Sequence, residues 1–454
     1  MISSARIARL NDKPERVEKY VLYWMQASQR AVLNHALEHA IAGANRLDLP
    51  LVVCFGLMDD YPEANERHYA FMLEGLRDVA ADLSARRIKF VVKRGSPPHV
   101  ALHYARHAAI MVCDRGYARH QKRWREEVAD GARCPVVQAE SDVVVPVEAV
   151  SDHAEFAART IRPKIHKRLD QYLKPLAASQ INQSSLSLRI SGDIEVTNPD
   201  LVLRKLKLDR AVKRSTHFHG GHRAAKMVLD RFIRTKLDGY AEGRNEPAAA
   251  HTSTLSPYLH FGNISPVEIA LRVQKSKKGS KHDRDSFLEE LIVRRELDMN
   301  FVQFNARYDS FDGLPNWAKK TLTKHARDRR PIVYSLRQLE AAQTHDRYWN
   351  AAQMQMTRSG FMHNYMRMYW GKKIIEWSRS PRKAFETALH LNNKYFIDGR
   401  DPASFANIAW LFGLHDRPWG PARKIFGTVR YMNEAGLLRK FDMDAYVRLV
   451  DAVT

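Results

Sequence analysis

The chain concentrates oxidisable aromatic side chains in one short stretch of its C-terminal half. Residues 359–373 read SGFMHNYMRMYWGKK, and six of the eight tryptophans lie within residues 317–419. Trp377 follows Trp370 by seven residues, which is two turns along one helix face, and Trp349 lies upstream. Because an indole can be oxidised and also packed inside a protein, this density predicts a path for single electrons between a buried cofactor and the surface.

A second stretch has the composition of a phosphate-binding loop. Residues 252–262 read TSTLSPYLHFG and combine hydroxyl groups and free backbone N–H groups with a proline that starts a helix; Tyr240 stands upstream. Neutral donors at a helix N-terminus bind phosphate, but serine and threonine also cap helices routinely. Spacing alone leaves both interpretations open for Thr252, Ser253, Thr254, Leu255 and Ser256.

Two further stretches mix charged and apolar residues. In residues 287–296, Glu290 precedes Arg294 by one helical turn, and a surface salt bridge alone would explain this spacing. Residues 392–402 form an irregular polar segment that leads to an apolar cluster around Trp410. Turn chemistry accounts for the Asp-Gly and Asp-Pro steps, but the cluster is more than a turn requires.

The composition is strongly basic. The 454 residues include 73 Lys and Arg against 51 Asp and Glu, which gives a net charge of +22 and a pI of about 9.9. This imbalance predicts a polyanionic partner, with nucleic acid first and an anionic membrane surface second. A generally basic proteome would give the same excess.

Cysteine usage and hydropathy point to a reducing, cytoplasmic setting. Cys54, Cys113 and Cys134 are too few, and odd in number, for a disulfide framework. No set of His, Cys, Asp and Glu has the spacing of a metal site. The chain shows neither an apolar signal core nor an uninterrupted apolar run of membrane-spanning length, so we expect no metal and no membrane partner.

The first 150 residues alternate between apolar runs and segments of helical period. Buried parallel strands are predicted at Tyr20–Trp24, Leu51–Leu57, 89–92 and 109–112. Helices are predicted between them, at 29–44, 65–85 and 98–105. Right-handed crossovers then give a doubly wound, Rossmann-like parallel sheet. The fingerprint G-x-G-x-x-G is absent after the first strand, which argues against a conventional NAD site.

The remainder of the chain divides into a connection and a helical region. Residues 151–214 contain a Ser/Asn/Gln cluster and a basic run, and we expect an interdomain linker there. Residues 215–454 have a helical period almost throughout. The main helices are predicted at 229–240, 266–275, 286–304, 337–354, 361–377, 381–393 and 442–450. The expected fold class is therefore α/β plus all-α, with residues 1–150 as the α/β domain and 215–454 as the helical domain.

Together these motifs resemble the class II cyclobutane pyrimidine dimer photolyases, within the photolyase–cryptochrome superfamily. Met-His-Asn with an arginine three residues after the asparagine, at 362–367, and Thr-Ser-x-Leu-Ser-Pro-Tyr, at 252–258, are typical of the superfamily. Trp-Gly-Lys-Lys at 370–373 and Asp-Arg-Pro-Trp at 416–419 are similar to class II in particular. The resemblance covers nearly the whole chain.

The resemblance implies a U-shaped FAD in the helical domain and an antenna-type α/β domain. The residues implied to hold the FAD phosphates are Tyr240, Thr252, Ser253, Thr254, Leu255 and Ser256. Those implied to lie beside the flavin or its ribityl chain are Asn364, Arg367 and Asp398, with Asn392 facing flavin N5. The implied electron-transfer tryptophans are Trp370, nearest to the flavin, Trp349 and Trp377.

The resemblance also implies a lesion-binding site. Glu290 resembles the acid that hydrogen-bonds the flipped-out dimer, and Trp410 resembles the aromatic wall beneath its thymines. Arg430 resembles a residue that fills the gap left in the duplex. Arg294 stands where some superfamily members place a tryptophan against the lesion, so that one wall of the site would be charged if it points inward.

The implied activity is a light-driven carbon–carbon lyase reaction on UV-damaged DNA. Light excites reduced FAD, an electron passes to the flipped-out dimer, the cyclobutane ring splits and the electron returns. The α/β domain of this family can hold an antenna chromophore, such as 8-hydroxy-5-deazaflavin or another pigment. We expect a monomer without an obligate protein partner.

Two other functions share part of this pattern. A cryptochrome-like flavin photoreceptor without repair activity would bind the same flavin but would not need the lesion-site matches at Glu290 and Trp410. A flavin-free nucleic-acid-binding protein would explain the charge but would leave the series of tryptophans without a purpose.

Overall fold

The computed structural model describes residues 2–452, and six strands form a single sheet in its N-terminal part. The strands are β1 (Ile7–Arg9), β2 (Tyr20–Trp24), β3 (Leu51–Leu57), β4 (Lys89–Arg94), β5 (Ala108–Asp114) and β6 (Val136–Ala139). Their spatial order is β1-β6-β5-β2-β3-β4, with β1 antiparallel to β6 and the other pairs parallel. The predicted doubly wound sheet is confirmed.

Helices cover both faces of this sheet. They are α1 (His35–Leu47), α2 (Glu66–Ala85), α3 (Pro97–Ala105) and α4 (Arg119–Gly131). On β2, Leu22 and Trp24 pack on the side of α3 and α4, whereas Val21 and Tyr23 pack on the side of α1. A strand buried on both faces must be apolar at every position, which explains the continuous apolar runs in the sequence.

The rest of the described chain is helical, which confirms the fold class of α/β plus all-α. The helices are α5 (Val147–Val150), α6 (Ala158–Tyr172), α7 (Pro199–Lys205), α8 (His222–Thr235), α9 (Tyr240–Gly243), α10 (Ser256–His260), α11 (Pro266–Gln274), α12 (Lys281–Leu288), α13 (Arg295–Phe304), α14 (Asn316–Lys324), α15 (Leu336–Glu340), α16 (Arg347–Ser359), α17 (Asn364–Trp377), α18 (Pro381–Tyr395), α19 (Pro402–Leu411), α20 (Glu434–Leu438) and α21 (Met443–Asp451). A π-helical turn, Glu289–Arg294, joins α12 to α13.

Within residues 2–452, no helix has the length and apolar character that a membrane crossing requires. The same residues contain no group of three His, Cys, Asp or Glu side chains arranged to hold a metal ion.

The single helix predicted at 337–354 is wrong, because the structure has two helices there, α15 and α16. Asp346 begins the second one: its Oδ1 accepts the backbone N–H groups of Tyr348 (3.1 Å) and Trp349 (2.9 Å). A capping carboxylate satisfies N–H groups that would otherwise lack partners at a helix start. This local bond outweighs the helical period that continues through the break.

Buried arginines join the sheet to the helical part. Arg30 Nη1 donates to Asp142 Oδ1 (2.7 Å) and to Gly262 O (2.9 Å). Gly262 has a φ of +64°, and a Cβ there would lie 2.0 Å from a backbone carbonyl of the loop after β2, so this approach requires glycine. Arg67 of α2 donates to backbone carbonyls of α16 and α18. These bonds set the spacing between the two parts of the molecule.

Candidate active site

A cavity opens in the helical part, lined by the loop before α10 and by α17 and α19; it is termed the helical cavity. The space between these elements measures about 810 Å³, including the part that is open to solvent. Most of the residues that the sequence predicts to hold FAD line it: Thr252, Ser253, Thr254, Leu255, Ser256, Asn364, Arg367 and Asp398. The fold therefore brings together the predicted phosphate loop and the predicted flavin neighbours.

The loop at 252–256 has an unusual backbone. Thr254 has a φ of +55°, a conformation that is uncommon for a β-branched residue. Its Oγ1 donates to Ser253 O (2.7 Å), and Ser253 Oγ accepts the Leu255 N–H (3.4 Å). Strained positions of this kind cluster where a backbone is shaped to clamp a ligand, and this loop lies on the cavity wall.

Tyr240 and Asn392 are predicted site residues that do not line the helical cavity. Tyr240 packs edge-on against Phe232, and burial raises its pKa to about 12. Asn392 is fully buried behind Ser404, a cavity-lining residue, and its Nδ2 donates to Ser404 Oγ. In the part of the chain that the structure describes, Asn392 Oδ1 has no hydrogen-bond partner. This amide therefore keeps an unused acceptor next to the cavity.

Arg367 and Asp398 form an ion pair on the cavity wall. The Nη2 of Arg367 lies 3.6 Å from Asp398 Oδ1, and both side chains are largely buried. The guanidinium lies 3.8 Å from the centroid of the Phe396 ring. Arg367 Nε is also buried and makes no hydrogen bond to any of residues 2–452. A buried donor without a partner is costly, so this N–H is suited to a polar ligand.

Trp370, Trp349 and Trp377 form a series that leads from the core toward the surface. Trp370 Nε1 donates to Gln353 Oε1 (2.8 Å), and Trp349 Nε1 donates to Trp370 O (3.0 Å). The ring centroids of Trp349 and Trp377 are 5.5 Å apart. Trp377 in turn contacts Tyr334, a partly exposed ring 5.2 Å away. The first two indoles are fully buried and held in orientation by their N–H bonds.

Glu290 lies on the π-helical turn, a conformation found frequently at functional sites. Its Oε1 is 2.8 Å from Arg244 Nη2. Arg294 is exposed and pairs with Glu289 at 3.4 Å, and Glu289 also pairs with Arg162 at 2.7 Å. The surface pair between Glu290 and Arg294 does not form, because the wider π turn rotates the two residues away from the spacing of an α-helix.

Trp410 stands near the end of α19 and is partly exposed. The guanidinium of Arg430 lies 5.5 Å from its ring centroid, and Arg430 Nε is 3.3 Å from Asp416 Oδ2. A neighbouring groove combines cationic and aromatic side chains, which are Tyr365, Trp419, Arg423, Arg430, Tyr431 and Lys440. Such a surface, termed the basic groove, has the chemistry that binds phosphates and stacks bases.

A second cavity lies between the sheet and the helical part and is termed the interface cavity. Its empty volume is about 1110 Å³. The sheet side contributes Gln29, Tyr61, Arg115, Tyr117 and Trp124, and the helical side contributes His260 and Arg400. Leu259, Arg295 and Asp401 line both this cavity and the helical cavity. A wall of a few side chains therefore separates the two spaces.

Several residues of the site escape notice in the sequence. Gln353 on α16 accepts a hydrogen bond from Trp370 on α17, and no local pattern in the sequence indicates this contact between helices. Asp401 caps α19 and therefore resembles ordinary turn chemistry. Arg295 and Ser404 carry no local signal, because their position on the cavity wall depends on how α13 packs against α19.

Comparison with known proteins shows extensive similarity. Residues 21–180 match the family model described as DNA photolyase. The deoxyribodipyrimidine photo-lyase of Methanothermobacter thermautotrophicus is 50% identical over 448 residues, which cover 98% of each chain. That of Potorous tridactylus is 38% identical over 434 residues, covering 94% of this chain and 81% of the relative. The structure of a class III photolyase from Agrobacterium tumefaciens covers 96% of this chain and 87% of its own, with a TM-score of 0.74 at 20% identity, and so has the same fold.

Proposed function

The chain belongs to the DNA photolyase family and repairs pyrimidine dimers in DNA, and from this premise we propose which of its residues perform the reaction. We propose that it is a class II enzyme for cyclobutane dimers, with FAD in the helical cavity and the flipped-out dimer between Glu290 and Trp410. One observation carries this assignment: on α17 the cavity residues Asn364 and Arg367 are followed, one turn later, by the first indole of the series.

The helical cavity fits FAD in the donors that line it. The hydroxyl and backbone N–H groups of the loop at 252–256 suit the two phosphates. Asn392 lies behind Ser404, and the Oδ1 of its amide, which has no partner among residues 2–452, can accept a hydrogen bond from a protonated ring nitrogen. Arg367 holds a positive charge beside Asp398 on the wall of the cavity. When bound, reduced and excited by light, FAD supplies the electron that splits the dimer.

We assign dimer recognition to Glu290 and Trp410. Arg244 holds the Glu290 carboxylate in place, with its second oxygen available to accept an N–H from a flipped-out base. The partly exposed ring of Trp410 offers a face on which that base can stack. Arg430, beside Trp410, is placed to enter the gap in the duplex. Arg294 is assigned to the rim, where it is exposed and paired with Glu289.

We assign electron supply from the surface to Trp370, Trp349 and Trp377. The hydrogen bonds of the first two indoles fix their orientation, and the close contact of Trp349 with Trp377 extends the series outward. This series restores the reduced state of the cofactor when it has been oxidised, and it takes no part in dimer splitting itself.

The interface cavity is our proposed site for an antenna chromophore. Aromatic side chains such as Trp124 and Tyr117, together with Arg115 and Arg400, suit a planar polar pigment such as 8-hydroxy-5-deazaflavin. Because this cavity shares a wall with the helical cavity, a pigment here would lie close enough to pass on absorbed light energy.

We further propose that the protein acts as a monomer on chromosomal DNA in a reducing compartment. Both cavities and the basic groove are each built from this one chain. The three cysteines, Cys54, Cys113 and Cys134, are free thiols buried in the sheet region.

An absorption spectrum of the purified protein, followed by illumination, tests the proposal. With reductant, blue light and a UV-damaged oligonucleotide, we expect a flavin spectrum that bleaches and an ultraviolet absorbance of intact thymine that recovers. Photoreduction without that recovery would favour a photoreceptor. A preparation in which FAD added during refolding fails to bind would refute the assignment of the helical cavity.

A further inference from the structure

Lys372 is a buried lysine whose ammonium lies beside the proposed lesion wall. The residue is 1% exposed, and its Nζ donates to Leu411 O at the end of α19. The same Nζ lies 5.6 Å from the ring centroid of Trp410. A cation is favoured at a helix C-terminus and over an indole face. Because Trp410 is partly exposed and Lys372 is buried, the ammonium approaches the ring from the protein interior.

The close packing of α17 against α19 makes this contact possible. A Cβ on Gly371 would lie 2.2 Å from the side chain of Leu411, so glycine allows the two helices to approach at this point. The Lys372 side chain then spans a short distance to the end of α19. The packing of α17 against α19 therefore fixes the position of the Lys372 ammonium.

Lys373, the next residue, provides a direct contrast. Its Nζ is 3.0 Å from Glu376 Oε2, and it lies near the rings of Tyr369 and Trp377 on another side of α17. Lys372 has no carboxylate in ion-pair contact among residues 2–452. Glu376 thus neutralises the charge of Lys373, whereas no carboxylate of the described chain contacts the ammonium of Lys372, beside Trp410.

The two charged groups that act on Lys372 shift its pKa in opposite directions. Asp416, on the segment that follows α19, favours its charged form, and Arg430, on the same segment, disfavours it. Burial is the largest influence and lowers the pKa of Lys372 to about 7. A protein that keeps such a costly group in its interior without an ion pair gains from it elsewhere.

We propose that Lys372 is a positioning residue for dimer repair, whose buried positive charge behind Trp410 stabilises the negative charge that the dimer carries during splitting. This inference rests on the proposed function, because it requires the dimer to stack on Trp410. The dimer accepts one electron from the reduced cofactor, its two inter-base C–C bonds break, and the electron returns, so that no reagent is consumed.

The charge acts on the reaction rather than on binding. The dimer is neutral at its bases when it binds and negative only after it has accepted the electron. An interaction that exists only in the charged state raises the rate without raising affinity. The indole between the ammonium and the dimer is polarisable and excludes water, so screening is weak along this line.

Lys372→Met tests the inference, with Lys373→Met as the matched control from the same helix. Both proteins are assayed as holoenzymes with chemically reduced flavin, so that electron supply from the surface is not needed. We expect Lys372→Met to repair at least about threefold fewer dimers per absorbed photon. Its affinity for dimer-containing DNA should stay within about twofold of the original. Lys373→Met should repair as the unchanged protein does.

The dependence of repair on pH gives a second readout that does not require a variant to fold. Repair per photon by the unchanged protein should fall as pH rises through roughly 6 to 8, because Lys372 then loses its charge. Lys372→Met should lack this fall. A profile that is flat across this range in the unchanged protein would overturn the inference.

A third variant, Trp410→Ala, separates this inference from the proposed function. If Trp410→Ala lowers dimer affinity while Lys372→Met repairs normally, the role of Lys372 is refuted and the lesion site stands. If Trp410→Ala binds and repairs dimers normally, the lesion site itself is misplaced, and the inference about Lys372 fails with it.

Discussion

At the scale of single residues, the surroundings of a side chain separate functional positions from ordinary core positions. Trp370 and Trp24 are both fully buried indoles. Trp370 Nε1 donates to Gln353, whereas Trp24 Nε1 has no hydrogen-bond partner in the described part of the chain and its ring belongs to the sheet core. The hydrogen bond to Gln353 fixes the orientation of the Trp370 ring, whereas the Trp24 ring is held by apolar packing alone.

Replacing Trp370 with phenylalanine should slow photoreduction of the oxidised flavin by about tenfold or more, because a benzyl ring is much harder to oxidise than an indole. Repair by the chemically reduced enzyme should be retained. Flavin absorbance under blue light measures the first rate, and Trp317→Phe, outside the series, serves as the control. A variant that fails to repair even when chemically reduced would contradict the assigned role.

Replacing Glu290 with glutamine should lower repair by about threefold to tenfold while FAD stays bound, because the carboxylate is the stronger acceptor for a base N–H. Glu289→Gln is the matched control, since Glu289 pairs with Arg162 and Arg294 on the rim. Dimer splitting is followed by the absorbance of the restored bases. Equal repair by the two variants would exclude Glu290 from the dimer site.

At the scale of elements, α17 organises the site. Its first turn carries Asn364 and Arg367 on the cavity wall, and its later turns carry Trp370 and Trp377. Gly371 lets the same helix approach the end of α19, where Trp410 stands. One rigid helix therefore relates the cofactor site, the electron path and the lesion wall to each other.

Gly371→Ala should lower the free energy of unfolding by about 1–3 kcal/mol, since the new methyl group would overlap with Leu411. Gly43→Ala in α1 is the opposite case, because a Cβ there meets no atom within 4 Å. That change should be neutral or stabilise by up to about 1 kcal/mol. Urea unfolding measures both. Similar values for the two variants would show that the α17–α19 contact is looser than the structure indicates.

At the scale of the whole molecule, two features matter for function: the net positive charge, and the contacts that hold the sheet region against the helical part. The net charge of +22 supports attraction to the DNA backbone, and the basic groove concentrates part of it beside Trp410. Buried polar contacts, such as those of Arg30 and Glu296, tie the sheet region to the helical part. The two parts thus enclose the interface cavity as one unit.

Binding of dimer-containing duplex DNA should weaken steeply between roughly 50 and 200 mM salt, because phosphate contacts release counterions. Arg423→Gln and Lys440→Gln, both in the basic groove, should each reduce the slope of log K against log salt by about one. Lys383→Gln should leave the slope unchanged, since Lys383 is exposed on α18 and pairs with Glu386. Affinity that does not vary with salt would refute the electrostatic argument.

The stability that Glu296 contributes should fall as pH rises from about 5 to 8. This carboxyl accepts the backbone N–H groups of Val144 and Val145, and burial raises its pKa to about 8 from a usual value of 4.5. The unfolded chain loses this proton at a lower pH than the folded chain does. The stabilisation that the protonated carboxyl provides is therefore complete below about pH 4.5 and is lost as the pH approaches 8.

Glu296→Gln, which cannot ionise, should flatten this part of the stability profile. Urea midpoints at several pH values measure the effect, and Glu126→Gln on the exposed surface of α4 is the control. The role of Glu296 would be ruled out if the variant and the original protein showed parallel profiles.

Features that depend on local residue order could be predicted from the sequence. Continuous apolar runs specified the buried parallel strands, helical periods specified most helices, and the motifs around Thr252 and Asn364 identified the family. The partners of buried polar groups could not be predicted, because they depend on how distant elements pack. Asp346 begins a new helix inside a stretch of continuous helical period, Glu290 pairs with Arg244 rather than Arg294, and Lys372 reaches a carbonyl of α19. A buried donor or acceptor must be satisfied by whatever group packing brings within reach, and residue periodicity carries no record of which distant group that will be.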